Sequence, residues 1–409
     1  MKLSKLEKFW VLYDVGNSAF VMLISTIIPI FFKNLASQAG VSGDMSTAYW
    51  GYASSIATVV VAFMGPILGT IGDHKDFKLP LFKTSLIIGA FGCVAMGFAS
   101  HWLWFLFIFI VGKIGYSVSL VFYDSMLCDI TDDSRMDTVS SHGYAWGYIG
   151  SCIPFIISLV LILTAEMTGI GTVNATVAAF ILNALWWVAC SAPLIKNYKQ
   201  SHYVENTQGV VKKAFSDILG TIKDINKNKK ILTFLLAFFL YIDGVYTIIE
   251  MATSYGKDVG ISDNSLLLAL LFTQIVAFPC AILFGKIARK KDNSTVISMS
   301  IIGYLFISLF ALQLDRAWEF WFLAACVAVF QGGIQALSRS YFAKIVPKEN
   351  SNKYFGIYDI FGKGAAFTGT FLIGLITQIT NNSSYGVLVL PVLFCLGYIM
   401  FKAHLKVKG

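Results

Sequence analysis

The chain has 409 residues, 56% of them hydrophobic and only 13% charged, with a formal net charge of +8. A soluble domain carries about 25% charged residues, and a protein of this size in water could not cover so much apolar surface with so few polar side chains. A water-soluble fold is excluded, and the surplus apolar surface must face lipid.

A helix needs about 20 residues to cross roughly 30 Å of hydrocarbon. Apolar blocks of that length predict helices near 9–32, 48–70, 80–98, 102–127, 141–165, 173–195, 231–256, 264–288, 294–313, 317–345, 352–379 and 384–404. Barrel strands would be about ten residues of alternating pattern, and these runs are solid. The expected fold is an all-α integral membrane protein with twelve transmembrane helices.

Helix 1 follows the basic start Lys2–Lys8. A signal peptide would need a shorter apolar core without an acid; this stretch is longer and contains Asp14. Asp14, Asn17 and Ser18 cluster on one side of helix 1, and Lys113, Ser117 and Asp124 share a face of helix 4. After helix 4, Asp129, Asp132, Asp133 and Asp137 read as a solvated acidic turn. Trp146 sits among Gly143, Gly147 and Gly150 on helix 5, where it could wall a cavity. Asp243, Tyr246 and Glu250 share a face of helix 7, Gln331, Gln335 and Arg339 one of helix 10.

Each charge at mid-bilayer depth costs about 2.5–3.5 kcal/mol on insertion scales, so such residues belong against a water-filled cavity or a partner. Lys113, Asp243 and Glu250, with no ionic partner within four residues, are read as cavity groups. Asp359 and Lys363, four apart with the acid first, suit a mutual helical pair as well as a cavity role. Asp14 and Asp124 lie near helix ends and suit interfacial capping equally well. Gln331 and Gln335 suit either substrate contact or helix–helix adhesion.

The positive charge is a topology signal, not a nucleic-acid footprint. With the N-terminus inside, 26 of the 31 Lys and Arg fall in inner loops or tails, three (Lys33, Lys257, Arg316) fall outside, and Lys113 and Lys363 lie within helices. The positive-inside rule then places both termini in the cytoplasm, with anionic lipid headgroups as secondary partners of the basic loops. The seven cysteines are far apart with no CxxC spacing, so neither a disulfide framework nor a zinc site is expected. The five histidines fall at loops or helix ends, and no HExxH or nucleophile–base pair is present. Neither an enzyme nor a bound cofactor or metal is expected.

Residues 196–230 are the only long polar segment and divide the helices six and six. Within it Val211, Ala214, Phe215, Ile218, Ile222 and Ile225 recur at helical spacing, which suits an amphipathic surface helix or a solvated linker helix alike. The halves are similar: Tyr13-Asp14-Val15-Gly16 begins one, Tyr241-Ile242-Asp243-Gly244 the other. Such internal symmetry is what repeat-built transporters leave in sequence. The expected organisation is a six-helix bundle over 1–195, a basic linker over 196–230 and a second six-helix bundle over 231–409.

Gly69-Thr70-Ile71-Gly72-Asp73-His74-Lys75, between helices 2 and 3, resembles the G-x-x-x-D-R/K loop of the major facilitator superfamily. Tyr13–Phe20, Asp243–Ile248, Gly332–Ser340 and Phe355–Lys363 resemble the branch of the autophagy-related vacuolar amino-acid effluxers and their bacterial relatives, over nearly the whole chain. Two positions depart from the pattern. Val15-Gly16 stands where Trp-Ala is expected, and the second-half loop Gly285–Arg289 ends in Arg where an acid is usual. The resemblance implies a monomeric secondary carrier of a small-molecule substrate, with or without proton coupling, rocking around a central cavity. Asp14, Asn17, Lys113, Ser117, Trp146, Asp243, Tyr246, Glu250, Gln331, Gln335 and Lys363 are its expected lining, and Asp73, Asp124 and Arg339 its cytoplasmic gate. Charges of both signs at similar depth suit a zwitterion or another small polar solute. Export of amphiphiles, suggested by 34 Phe and 11 Met, is the alternative, and a non-transporting receptor or scaffold the reading from another class. Short loops suggest the plasma membrane of a bacterium.

Overall fold

A computed structural model describes residues 2–205, 214, 226–258, 263–314, 316–380 and 383–407. Twelve of its helices are long and apolar enough to cross a membrane. They are α1 (Lys5–Gln38), α2 (Gly43–Asp73), α3 (Lys78–Met96), α4 (Trp102–Ile130), α5 (Asp133–Leu163), α6 (Thr172–Asn197), α7 (Lys229–Asp258), α8 (Asp263–Lys290), α9 (Asn293–Ala311), α10 (Ala317–Ile345), α11 (Ser351–Thr380) and α12 (Tyr385–His404). Each predicted apolar block becomes one of them. The helix expected from the 211–225 spacing lies outside the described residues, Ala214 excepted.

Local chemistry accounts for several boundaries. Ser4 caps α1 by accepting from the Glu7 N–H, while the Glu7 carboxylate accepts from the Ser4 N–H at 2.6 Å. Thr26 breaks α1 at φ −133°, three residues before Pro29, whose ring clashes with the carbonyl one turn back. The largest boundary difference is in α5, which begins at Asp133 rather than near 141. Residues 133–141 are mostly polar and too short of apolar residues to read as part of a span, yet they form the first turns of the helix and bury Met136, Asp137, Val139, Ser140 and Ser141.

The chain packs as two compact units. Unit 1 comprises Met1–Ile130, Trp146–Ala214 and Lys348–Gly356; unit 2 comprises Thr131–Ala145, Phe215–Pro347 and Ile357–Gly409. In unit 1, α1 packs along α6, α2 along α4, and α3 along both α4 and α6. In unit 2, α7 packs along α12, α8 along α10, and α9 along both α10 and α12. Adding six to each number of the first set gives the second, so the bundles are pseudo-symmetric.

The repeat reaches individual atoms. Tyr13 of α1 shares a 2.7 Å hydrogen bond with Ser119 of α4, and Tyr241 of α7 shares one of 2.7 Å with Ser338 of α10. Gly16 lies against Trp187 and Cys190 of α6, and Gly244 against Phe394 of α12. Asp76 and Asp292, in corresponding loops, both have positive φ, of 66° and 35°, a region Asp enters more readily than most residues. With the tyrosines superposed, Asp14 matches Ile242 and Asp243 matches Val15. The two acids therefore point about 100° apart on their helices.

In unit 1, α3 and α4 meet backbone to backbone. A Cβ on Gly92 would lie 2.7 Å from the Gly112 Cα, and one on Gly115 would lie 2.6 Å from the Gly89 nitrogen. Small residues permit this approach where lipid supplies no hydrophobic drive between helices. Gly92→Leu is expected to cost about 1–3 kcal/mol through overpacking, seen as a lower apparent melting temperature in detergent. An unchanged melting temperature would refute this packing.

Candidate functional site

The expected site residues fall in both units, and their surroundings differ. In unit 1, Asp14 and Asn17 are buried, and Asn17 Nδ2 donates to Asp14 Oδ1 at 3.3 Å. Gly147 of α5 lies close to them, since a Cβ there would be 2.8 Å from Ser18 Oγ and 3.3 Å from the Asp14 carbonyl. Trp146, one residue earlier, is 44% exposed. On α4, Ser117 is buried, Lys113 and Asp124 are part-exposed, and the Lys113 ammonium lies 5.8 Å from the Phe109 ring centroid. Phe109 packs in turn on Trp50 at 4.2 Å.

In unit 2 the three groups sharing a face of α7 separate by depth. Glu250 is exposed, Tyr246 is intermediate and Asp243 is fully buried. Asp243 lies about 21 Å along α7 from Lys229 at 1.5 Å per residue, well inside the span. Its Oδ1 accepts from Thr247 Oγ1 at 3.2 Å and from the backbone N–H of Gly369 in α11 at 2.8 Å. Its Oδ2 has no hydrogen-bond partner among the described residues. Only glycine fits opposite, since a Cβ at 369 would lie 2.2 Å from both Asp243 Oδ1 and Thr247 Oγ1. On α11, Lys363 Nζ bonds Asp359 Oδ2 at 2.6 Å, the helical pair that their spacing allowed. Gln331 and Gln335 are buried on α10.

A second group of polar residues gathers at the helix ends. In unit 1, Asp73 at the end of α2 accepts three hydrogen bonds from the start of α11. The Asn352 N–H (2.8 Å) and Nδ2 (2.9 Å) go to Oδ1, and the Lys353 N–H (3.0 Å) goes to Oδ2. These backbone donors are the unsatisfied N–H groups of a helix N-terminus, where negative charge is favoured. Beside it, Lys78 Nζ meets Asp129 Oδ2 at 2.7 Å with both side chains fully buried. Tyr198 donates its hydroxyl to the same carboxylate. Burial, and then the Asp129 charge, hold the Tyr198 phenol well above its ordinary range, so it remains a donor.

In unit 2 the corresponding network centres on α5. Asp137 accepts from Ser340 Oγ at 2.7 Å, Lys344 Nζ at 2.6 Å and Asn293 Nδ2. Arg339 donates from Nε to Ser140 Oγ at 2.9 Å and from Nη2 to the Ser140 carbonyl at 3.1 Å, with the Tyr144 ring centroid 4.4 Å from Cζ. Gly285 repeats the close approach of Gly69. A Cβ at 285 would lie 2.6 Å from Ser141, and one at 69 would lie 2.5 Å from the Asn352 carbonyl. Where the second loop carries Arg289, the buried acid of this network is Asp137 of α5.

The solvated reading of Asp129 and Asp137 is therefore corrected. Both carboxylates are buried and bonded to cations, because segments distant in sequence fold over them. Lys78, Asp129, Asp137, Asn293 and Asn352 carry no motif that singles them out. The one available signal was the pair of asparagines within the first two residues of α9 and α11. Asp124, five residues before Asp129, is not the α4 acid that meets Lys78. Among the described residues, no group of three His, Cys, Asp or Glu could hold a metal ion.

Residues 4–136 and 129–408 match the family model described as "Vacuole effluxer Atg22 like". The chain is 42% identical to the "Uncharacterized MFS-type transporter YxiO" of Bacillus subtilis (strain 168), over 98% of this chain and 94% of that protein. It is 23% identical to "Autophagy-related protein 22" of Saccharomyces cerevisiae (strain ATCC 204508 / S288c), over 95% of this chain and 91% of that one. Among solved structures, the major facilitator transporter FucP in its outward conformation aligns with a TM-score of 0.75 at 13% identity, over 98% of this chain and 97% of that one. The human organic anion transporter MFSD10 aligns with a TM-score of 0.75 at 9% identity, over 98% of this chain and 100% of that one.

Proposed function

Because the chain belongs to the Atg22-like vacuole effluxer family of the major facilitator superfamily, we propose that it moves a small polar or zwitterionic solute, amino-acid-like in its charges, by alternating access with a proton as the coupling ion. It is a multi-pass MFS-type transporter and not an enzyme. The observation that carries the coupling is Asp243, buried in mid-span with one carboxylate oxygen lacking a donor among the described residues. A charged oxygen without a donor in an apolar interior is costly, and a proton bound there removes the cost.

The zwitterion preference rests on charges of both signs within spans: Asp14, Lys113, Asp243, Glu250 and the Asp359–Lys363 pair. Asn17, Ser117, Trp146, Tyr246, Gln331 and Gln335 complete the proposed substrate-facing set. Asp73, Asp124 and Arg339 serve the gate on the side carrying the termini, assigned to the cytoplasm by the distribution of Lys and Arg. The working bundles are residues 1–195 and 231–409, joined by 196–230. The proposed location is a bacterial plasma membrane, with the protein acting as a monomer among its lipids.

The test is uptake into proteoliposomes across a panel of amino acids and related solutes, with and without a proton gradient. Asp243→Asn is expected to abolish stimulation by the gradient while substrate exchange continues. Equal stimulation in the variant would overturn the coupling. Flux of amphiphiles alone would replace the substrate class, and no flux for any solute would favour a receptor.

A further inference from the structure

The stretch after α6 makes contacts that neither the loop signature nor the proposed cycle uses. Residues 198–205 run against the α2–α3 loop, all within unit 1. The Val204 N–H donates to the Asp73 carbonyl at 2.8 Å and the Lys75 N–H donates to the Val204 carbonyl at 3.1 Å, forming an isolated parallel bridge. Gln200 Nε2 donates to the carbonyls of Gly72 at 3.1 Å and Asp73 at 3.4 Å. These are final carbonyls of α2, which have no partner inside their own helix. The N–H groups of Ser201 and His202 then donate to Asp129 Oδ1 at 3.2 and 2.9 Å. His202 Nδ1 reaches the same oxygen at 3.1 Å; since a carboxylate only accepts, this nitrogen carries the proton. The Lys75 ammonium lies 5.2 Å from the Tyr203 ring centroid.

Asp73 is thus held from both directions. Its side chain accepts from Asn352 and Lys353, while its own carbonyl is tied to Gln200 and Val204. The strap is anchored in turn on Asp129, the partner of Lys78. We propose that residues 198–205 are a positioning strap, which fixes the end of α2 so that the Asp73 carboxylate meets the first N–H groups of α11. Gln200 and His202 are positioning residues acting through Asp73 and Asp129. The segment that leaves α6 toward the second half of the sequence thereby sets how firmly the Asp73 contact closes.

Hydrogen exchange, resolved by peptide on the full-length protein without substrate, tests this. An amide that loses its acceptor exchanges through easier local opening. In Gln200→Ala and His202→Ala, the amides of Asn352 and Lys353 should exchange about tenfold faster, the effect of one lost net hydrogen bond. Adding either change to Asp73→Asn should accelerate those amides no further, and His202→Gln, which keeps a donor, should restore part of the protection. Faster exchange at 72–75 with none at 352–353, or effects that add to Asp73→Asn, would overturn the proposal by showing a purely local loop contact. Gln200→Glu gives a second disruption should either alanine variant fold poorly. The inference rests on the gate reading of Asp73, but the exchange is read without transport, so failure of one is separable from failure of the other.

Discussion

Lys78→Met is expected to lower the stability of the protein by about 3–5 kcal/mol, because removing one partner of a buried pair leaves the other charge uncompensated. Lys78 Nζ lies 2.7 Å from Asp129 Oδ2, and neither side chain has solvent access. Asp129 would keep the donors from Tyr198, Ser201 and His202, but these do not neutralise a full charge as an ammonium does. The double variant Lys78→Met/Asp129→Asn should recover much of the loss, since an amide oxygen still accepts while carrying no net charge. The measurement is the apparent melting temperature of the wild type, both single variants and the double variant in one detergent and salt. A double variant as unstable as the sum of its singles would show that the pair is not coupled.

On the proton coupling proposed above, Gly369→Ala is expected to cut gradient-stimulated transport at least about tenfold, a change that about 1.4 kcal/mol in a barrier suffices to produce. A Cβ at this position would lie 2.2 Å from Asp243 Oδ1 and from Thr247 Oγ1. Relieving that crowding requires both side chains to turn away or α11 to shift, and either change breaks the 2.8 Å hydrogen bond from the Gly369 N–H to Asp243 Oδ1. The expected signature is a loss of stimulation out of proportion to the fall in melting temperature that the added methyl causes, from a change that leaves every acid in place. A variant with full stimulation would show that the contact between α7 and α11 has no part in coupling.

What could be read early had local causes. The apolar blocks predicted all twelve spans, and the spacing of Asp359 and Lys363 permitted the pair that forms. The α5 boundary was missed because its first turns are polar, and a hydropathy signal is silent about a helix continuing beyond hydrocarbon. The motifs Tyr13–Gly16 and Tyr241–Gly244 pair tyrosine with tyrosine and glycine with glycine, which leaves Asp14 and Asp243 one position apart. Tyr13 and Tyr241 make equivalent hydrogen bonds to Ser119 and Ser338 in that same register.

Composition and periodicity determined that this is a membrane protein, how many times it crosses, that its halves repeat, and that several ionisable groups sit inside its spans. Each of these follows from the cost of placing side chains in lipid, which acts residue by residue. Tertiary structure alone decided which charges are buried together. Asp129 and Asp137 look like solvated loop acids until Lys78, His202, Asn293 and Lys344 fold over them, and Asp243 finds its backbone donor 126 residues away at Gly369. Hydrogen bonds and ion pairs form at about 3 Å, a distance that sequence separation does not specify, so those partners emerge only when helices distant in the chain pack side by side.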